Sequence, residues 1–272
     1  LRAASGSHVP APDASVQAKL RVERLSHEFA GPSPDHRLRV LENVDFSARP
    51  GEFIALVGPS GCGKSTLLSL VDGLLRPASG RVLMDGREVT GPGADRALVF
   101  QAASLFPWRT ILRNIAYGLE IQGVGRRRAH DRAIEMIELV GLKGFEQFYP
   151  YSISGGMAQR VNLARALAVD PDILLMDEPF AALDAHTREA MQAELLRIWG
   201  ATHKTILFVT HQIEEAVFLA DRVLVLTARP ATVKLSVTIE LARPRDLTVK
   251  RTPEFIRYEE TIWQSVRAEV HV

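Results

Sequence analysis

Residues 58–66 read GPSGCGKST, and Gly58, Gly63, Lys64 and Ser65 fall on the spacing G-x-x-x-x-G-K-[ST]. An apolar run, FIALV, precedes the stretch and KSTLLSLVDGLL follows it, giving strand, glycine loop and helix in the order that gives this motif meaning. Glycines let the chain turn so that several N–H groups face one anion, and the helix start adds partial positive charge. Gly58, Pro59, Ser60, Gly61, Cys62, Gly63, Lys64, Ser65 and Thr66 are therefore expected to cradle the phosphates of a nucleotide. Within them Lys64 would bridge the β- and γ-phosphates and the Ser65 hydroxyl would ligate Mg2+.

A second stretch that reads like an anion site lies ninety residues on, in YSISGGMAQR at 151–160. Glycines opening a helix expose N–H donors, and Ser154 can either cap that helix or donate its hydroxyl to an anion. The sequence leaves both readings of Ser154, Gly155 and Gly156 open. In ILLMDEP, Asp177 follows four apolar residues, which puts its carboxylate at the C-terminal end of a buried strand, where open α/β sheets bind ligands. Asp177 is expected to hold the metal through water and Glu178 to polarise the attacking water; a plain loop start is the competing reading. Two further strand ends carry polar groups, Gln101 after RALVF and His211 after TILFVT. Each suits a contact to phosphate, metal or water, and each is equally ordinary as a structural residue.

The elements that must position these groups follow from hydrophobic periodicity. Alternation in LRVERL and NVDFSA predicts strands of a half-buried sheet, RVLMDGREV a strand entering a DG turn, and DILLMDE and TILFVTH strands too apolar for a wet face. Strands alternating with helices predict a mainly parallel sheet covered on both sides. From Thr110 to Gly144 helices dominate, with Ile111, Ile115 and Leu119 on one stripe and Ile134, Ile137 and Val140 or Leu142 on another. RVLVLTARP, VKLSVTIE and PEFIRYEETIWQSVRAEV predict closing strands and a final amphipathic helix.

Composition narrows the class. The chain has 272 residues, 46% hydrophobic and 24% charged, as ordinary globular domains do. Thirty-three basic against 32 acidic residues leave a net charge of +1, which gives no support to a nucleic-acid partner. The single cysteine, Cys62, allows no internal disulfide and no Cys/His metal cluster exists, which fits a reducing cytosolic setting. No apolar run approaches the ~20 residues a membrane span needs. Residues 1–18, rich in Ala, Ser and Pro, are expected to form a flexible extension.

GPSGCGKST, Gln101, SGGMAQR, ILLMDEP, ALD at 182–184 and His211, in this order, resemble the nucleotide-binding subunit of ATP-binding cassette (ABC) transporters. The resemblance implies an α/β P-loop NTPase core of ABC type over 19–230, with a mainly parallel sheet, an antiparallel β subdomain and an inserted α-helical subdomain at about 102–168. A short strand and helix extension is expected over 231–272, and the large regulatory domain of sugar-importer relatives is not expected. The resemblance also implies a head-to-tail homodimer sandwiching two ATP molecules, the SGG of one subunit meeting the γ-phosphate held by the other's glycine loop. On the same basis Glu178 is the catalytic base, His211 the γ-phosphate sensor, Gln101 a metal and water contact, and Asp184 a coupler across the interface. N-capping of AHTREAMQAELL explains Asp184 nearly as well. Phe29 would stack on adenine, or else belong to the core.

LFPWRTILRNIAYGLEIQG at 105–123, DEPFAALDAHTR, VTHQIEEAVFLADRV, and the late ARP and RPRD resemble more narrowly the importer ATPases for nitrate, taurine and aliphatic sulfonates. That resemblance implies transmembrane permease partners docking on Leu105, Phe106 and Trp108, a solute-binding protein acting indirectly, and a peripheral place on the cytoplasmic face of the membrane. Packing of the helical insert is the rival account of those apolar residues. Ile153 replaces the family's usual Leu and AALD its commoner SALD, both conservative. Arg126 to Arg128 read most simply as a solvated loop face, with phospholipid headgroup contact as the other reading. A nucleic-acid-associated ATPase of the same fold and a small P-loop kinase compete; the first expects tandem cassettes or basic surfaces, and the second leaves SGGMAQR unexplained.

Overall fold

The computed structural model describes residues 18–31 and 37–270. In chain order the elements are β1 (Leu20–Ala30), β2 (Arg37–Ala48), β3 (Phe53–Val57), α1 (Lys64–Asp72), β4 (Ser79–Met84), β5 (Arg87–Glu88), β6 (Arg96–Val99), α2 (Ile111–Ile121) and α3 (Arg126–Leu139). They continue with α4 (Gly155–Ala168), β7 (Ile173–Asp177), α5 (Ala185–Thr202), β8 (Thr205–Val209), α6 (Ile213–Leu219), β9 (Arg222–Leu226), β10 (Val233–Thr238) and α7 (Pro253–Val270). Apart from Ala18, the extension expected over residues 1–18 lies outside the described residues.

The chain divides into two units, one of residues 1–92 with 207–272 and the other of residues 93–206. In the first, an antiparallel sheet of order β2-β1-β4-β5 accounts for the alternating segments near the N-terminus. The same unit holds the strand order β10-β9-β3-β8. β3 and β9 run parallel, pairing Ala55 with Val223 and Leu56 with Leu224, and β10 closes the edge antiparallel to β9. All five residues of β3 are buried, as a strand without a polar face requires. α6 packs on β3 and β9, and Leu41 bridges to Ala231, tying the antiparallel sheet to the loop after β9.

In the second unit β6 and β7 are parallel neighbours, Leu98 opposite Leu175 and Val99 opposite Met176. β8 begins here, Thr205 N donating to Asp172 O, and ends in the first unit. α2 starts where Thr110 accepts a bond from Arg113 N, and it buries Ile111, Ile115 and Leu119, the stripe its spacing predicts. The second predicted stripe holds at Ile137, Val140 and Leu142, which are buried, and fails only at Ile134. The packed face of α3 is Ala129, Ala133, Met136 and Ile137, while Ile134 is only half-buried. At 100° per residue the line through 129, 133 and 136 passes beside 134, and two alanines on that line carry little weight in a reading that counts large apolar residues.

Candidate functional site

In the first unit the phosphate loop leaves β3 at Gly58 and enters α1 at Lys64. Two of its glycines are dictated by backbone and space. Gly63 has φ +122°, and a Cβ there would lie 2.7 Å from Val40 Cγ1 and 2.9 Å from Leu41 Cδ2, too close for any side chain. Gly61 has φ +73° and its carbonyl accepts from the Arg229 guanidinium. Lys64 is buried; its Nζ donates to the carbonyls of Gly58 and Pro59, both at 2.9 Å, so the ammonium is turned into the loop it serves. Cys62 is 2% exposed with Sγ 4.0 Å from Lys64 Nζ, and burial pushes its thiol above the ordinary range. Ser65 is exposed at the first turn of α1 and Thr66 half-buried beside it.

His211 belongs to the same unit. Thr210 N donates to Leu56 O at 3.2 Å, so His211 lies one residue beyond a direct tie to the strand that delivers the loop. Its side chain is exposed. Phe29 is on β1, 39% exposed, with its ring edge-on to His27 at 4.7 Å between centroids. It pairs with Leu38 of β2, two residues before the Val40 that crowds Gly63. At 39% exposure Phe29 is not a core residue.

The second unit gathers the remaining candidates. Since Val99 sits opposite Met176 in parallel strands, Gln101, Asp177 and Glu178 emerge from the same strand ends. Asp177 and Glu178 are half-buried, and Glu178 has φ +44°, a conformation costly for a residue with a Cβ and frequent at working sites. Ser154 caps α4, its Oγ accepting from Met157 N at 3.3 Å. The cap uses a lone pair and leaves the hydroxyl hydrogen able to donate, so the two readings of Ser154 are compatible. Asp184 caps α5 through Thr187 N at 3.0 Å, and its bonds to Thr187 hold the exposed carboxyl below the usual carboxylate range.

Gly155 and Gly156 differ in kind. A Cβ on Gly156 would strike Thr187 Cγ2 at 2.7 Å, so packing within the chain requires that glycine. A Cβ on Gly155 would meet only Leu183 Cδ2 at 3.9 Å, an ordinary contact. Nothing inside this chain demands a glycine at 155, which is exposed. The same contacts put the SGG helix start beside the ALD segment.

Two features went unread in the sequence. Gln159, Asn162 and Arg165 lie on one face of α4 and grip the segment after β6. Gln159 Nε2 donates to Gln101 O at 2.6 Å, Asn162 Nδ2 to Phe100 O at 3.3 Å, and Arg165 to Ala103 O and Ser104 O, both at 3.0 Å. Asn162 also bonds Gln159 and Arg165, so the three form one satisfied network. Polar spacing of three along a helix hinted at such a row, but its loop partner is some 60 residues away. The other is the Arg229 brace on Gly61; ARP was visible, its contact was not.

Leu105 and Phe106 are half-buried and Trp108 is 72% exposed. Trp108 borders a groove of about 950 Å³ that Arg109, Arg113 and Arg126 also line. Phe106 packs against Tyr117 and Trp108, and so serves the insert as well as the surface. Among the described residues no group of three or more His, Cys, Asp or Glu could hold a metal, and no helix is long and apolar enough to cross a membrane.

Comparison with known proteins follows from this geometry. The family model described as "ABC transporter" matches residues 41–181. The nitrate import ATP-binding protein NrtD of Synechocystis sp. is 48% identical over 91% of this chain and 95% of its own length. The taurine import ATP-binding protein TauB of Burkholderia pseudomallei is 52% identical over 83% of this chain and 86% of its own. Among solved structures, a dimeric post-hydrolysis ATP-binding cassette bound to ADP and phosphate is 29% identical, with a TM-score of 0.71 over 82% of this chain and all of that one. With a phosphate loop, a strand-end carboxylate pair and a capped SGG helix start in the order of that family, the chain belongs to the ABC transporter ATP-binding proteins and is an ABC-type P-loop ATPase.

Proposed function

We propose that this chain is the ATP-hydrolysing subunit of a binding-protein-dependent importer for nitrate, taurine, a sulfonate or a related small solute, and that it works as a head-to-tail homodimer. One observation carries the dimer: Gly155 is a glycine that its own chain does not need, at a capped helix start beside Asp184. A close approach from outside the chain gives the position its reason, and the γ-phosphate held by a second copy's loop is the group that such N–H donors suit. Relatives named for nitrate and taurine import support the solute class.

The residues fit the nucleotide. The positive-φ glycines shape the loop, and Lys64 lies inside it on the Gly58 and Pro59 carbonyls. Ser65, Gln101 and Asp177 would each supply an oxygen donor, the kind of ligand that Mg2+ takes, and Mg2+ when bound would supply charge neutralisation on the phosphate oxygens. Lys64 would exchange its loop carbonyls for phosphate oxygens. Glu178 would orient the attacking water and take up its proton, and His211 would donate to the γ-phosphate and hold the water in line. Gln101 would report on the permease, since the α4 network ties its carbonyl to the helix that carries Ser154 and Gly155. Asp184 would link the two sites across the dimer, and Phe29 would support the adenine. The helical segment at about 102–168 would receive the permease at Leu105, Phe106 and Trp108, and the protein would then sit at the cytoplasmic face of the membrane. A nucleic-acid role gains nothing from a net charge of +1.

The test is reconstitution in proteoliposomes with the native permease and binding protein. ATP hydrolysis stimulated severalfold by nitrate or by taurine-like sulfonates supports the reading. Stimulation by none of these, with stimulation by an unrelated solute, removes the solute class and keeps the importer.

A further inference from the structure

Arg245, in the RPRD stretch after β10, has no part in the chemistry above, yet it is 7% exposed. Its guanidinium donates to five backbone carbonyls: Val217 (3.1 Å), Phe218 (3.0 Å), Ala220 (2.7 Å), Ile239 (3.3 Å) and Leu241 (3.3 Å). Among the described residues no carboxylate forms an ion pair with it. Burial pulls its pKa down to about 10, so it stays a cation at neutral pH. Three of the five carbonyls belong to the last turn of α6 and its cap, Ala220. Neighbouring Arg243 donates to Leu219 O at 2.7 Å and pairs with Asp221. The C-terminal carbonyls of a short helix, normally left to water, are thus held by two arginines from the C-terminal segment.

The other end of α6 is fixed as firmly. Gln212 N donates to Thr210 Oγ1 at 3.0 Å, Thr210 Oγ1 donates to the Glu215 carboxylate, and Thr210 N is tied to Leu56 of β3. His211 sits between Thr210 and Gln212. Its backbone therefore joins a strand-anchored residue to a helix whose far end is held by Arg245, so that a shift of α6 along its axis would carry the imidazole with it.

We infer that Arg245 is a positioning residue for His211, through which the C-terminal segment sets the rate of phosphoryl transfer without touching the nucleotide. Lysine cannot replace it, because three rotating donors do not span five carbonyls that a planar fork reaches. The inference rests on the role given to His211 above.

The experiment compares Arg245→Lys, Arg243→Lys, His211→Ala and the double variant Arg245→Lys/His211→Ala, with Arg251→Ala on the exposed surface as control. Turnover and the dissociation constant for MgATP are measured on the purified full chain. Misplacement by ~1 Å can cost up to ~100-fold in rate. Arg245→Lys is expected to lower kcat about tenfold and leave nucleotide affinity within about twofold. Arg243→Lys should do the same more weakly, and the control should do nothing. In the His211→Ala background Arg245→Lys should add less than about a twofold loss, because both act through one group. Wild-type kcat in Arg245→Lys, or a full tenfold further loss in the double variant, overturns the inference while His211 keeps its role. Wild-type kcat in His211→Ala overturns the role of His211 and this inference with it.

Discussion

Replacing Gly155 by Asp separates what the chain needs from what the composite site needs. Within the chain the change is benign: the added Cβ meets only Leu183 at 3.9 Å, the backbone is not in the left-handed region, and Ser154 still caps α4. An acidic residue in the first turn of a helix contributes about 0.3–1 kcal/mol against the dipole. The purified variant should therefore melt no lower than wild type, or up to ~2–4 °C higher. Across a dimer the same carboxylate would face a γ-phosphate. One pair of unit negative charges ~5 Å apart at an effective dielectric constant of ~20 repels by ~3 kcal/mol, about two orders of magnitude in an equilibrium. ATP should bind the monomer with unchanged affinity, read by nucleotide fluorescence titration, while hydrolysis falls about 100-fold or more. Normal turnover would reduce SGG to a helix cap. A melting point several degrees lower would mean that the chain itself requires this glycine, and the reason given for a partner would fail.

Other perturbations reach different parts of the molecule. Thiol alkylation of Cys62 should be slow at pH 7, because the buried thiol titrates above its ordinary range; it should speed up as pH rises and be slowed by MgATP, as timed mass spectrometry would record. Asn162→Ala leaves Phe100 O and the Gln159 and Arg165 side chains short of a partner, and should destabilise the fold by about 2 kcal/mol in chemical denaturation. Trp108→Ala removes a 72% exposed ring and should leave melting and basal ATPase unchanged, while reducing recovery of the permease in co-purification from detergent.

Legibility in the sequence followed locality. The phosphate loop was readable because its function rests on consecutive backbone geometry, and the strains at Gly61 and Gly63 are what its glycines imply. Runs such as FIALV and ILLMD announced buried strands, since a strand apolar on both faces has few alternatives. The α3 face was misjudged at Ile134 because alanine packs without advertising itself. Ser154 and Asp184 stayed ambiguous because one side-chain oxygen can cap a helix and serve a ligand, and the structure has both doing the first. Polar spacing hinted at the Gln159–Asn162–Arg165 row and RPRD displayed Arg245, but the backbone carbonyls that each of them holds could not be read from the sequence. Gly155 and Gly156 look alike in sequence, and only the surrounding atoms distinguish the one the chain requires.

The central claim is a composite ATP site closed by two copies of this chain, with Glu178 as the base that reopens it. Sedimentation of Glu178→Gln with and without MgATP tests it most directly. The account predicts a monomer without nucleotide, a stable dimer with two ATP molecules retained in its presence, and a monomer again when Gly155→Asp is added. A Glu178→Gln chain that turns ATP over at the wild-type rate, or that stays monomeric with ATP bound, would contradict it.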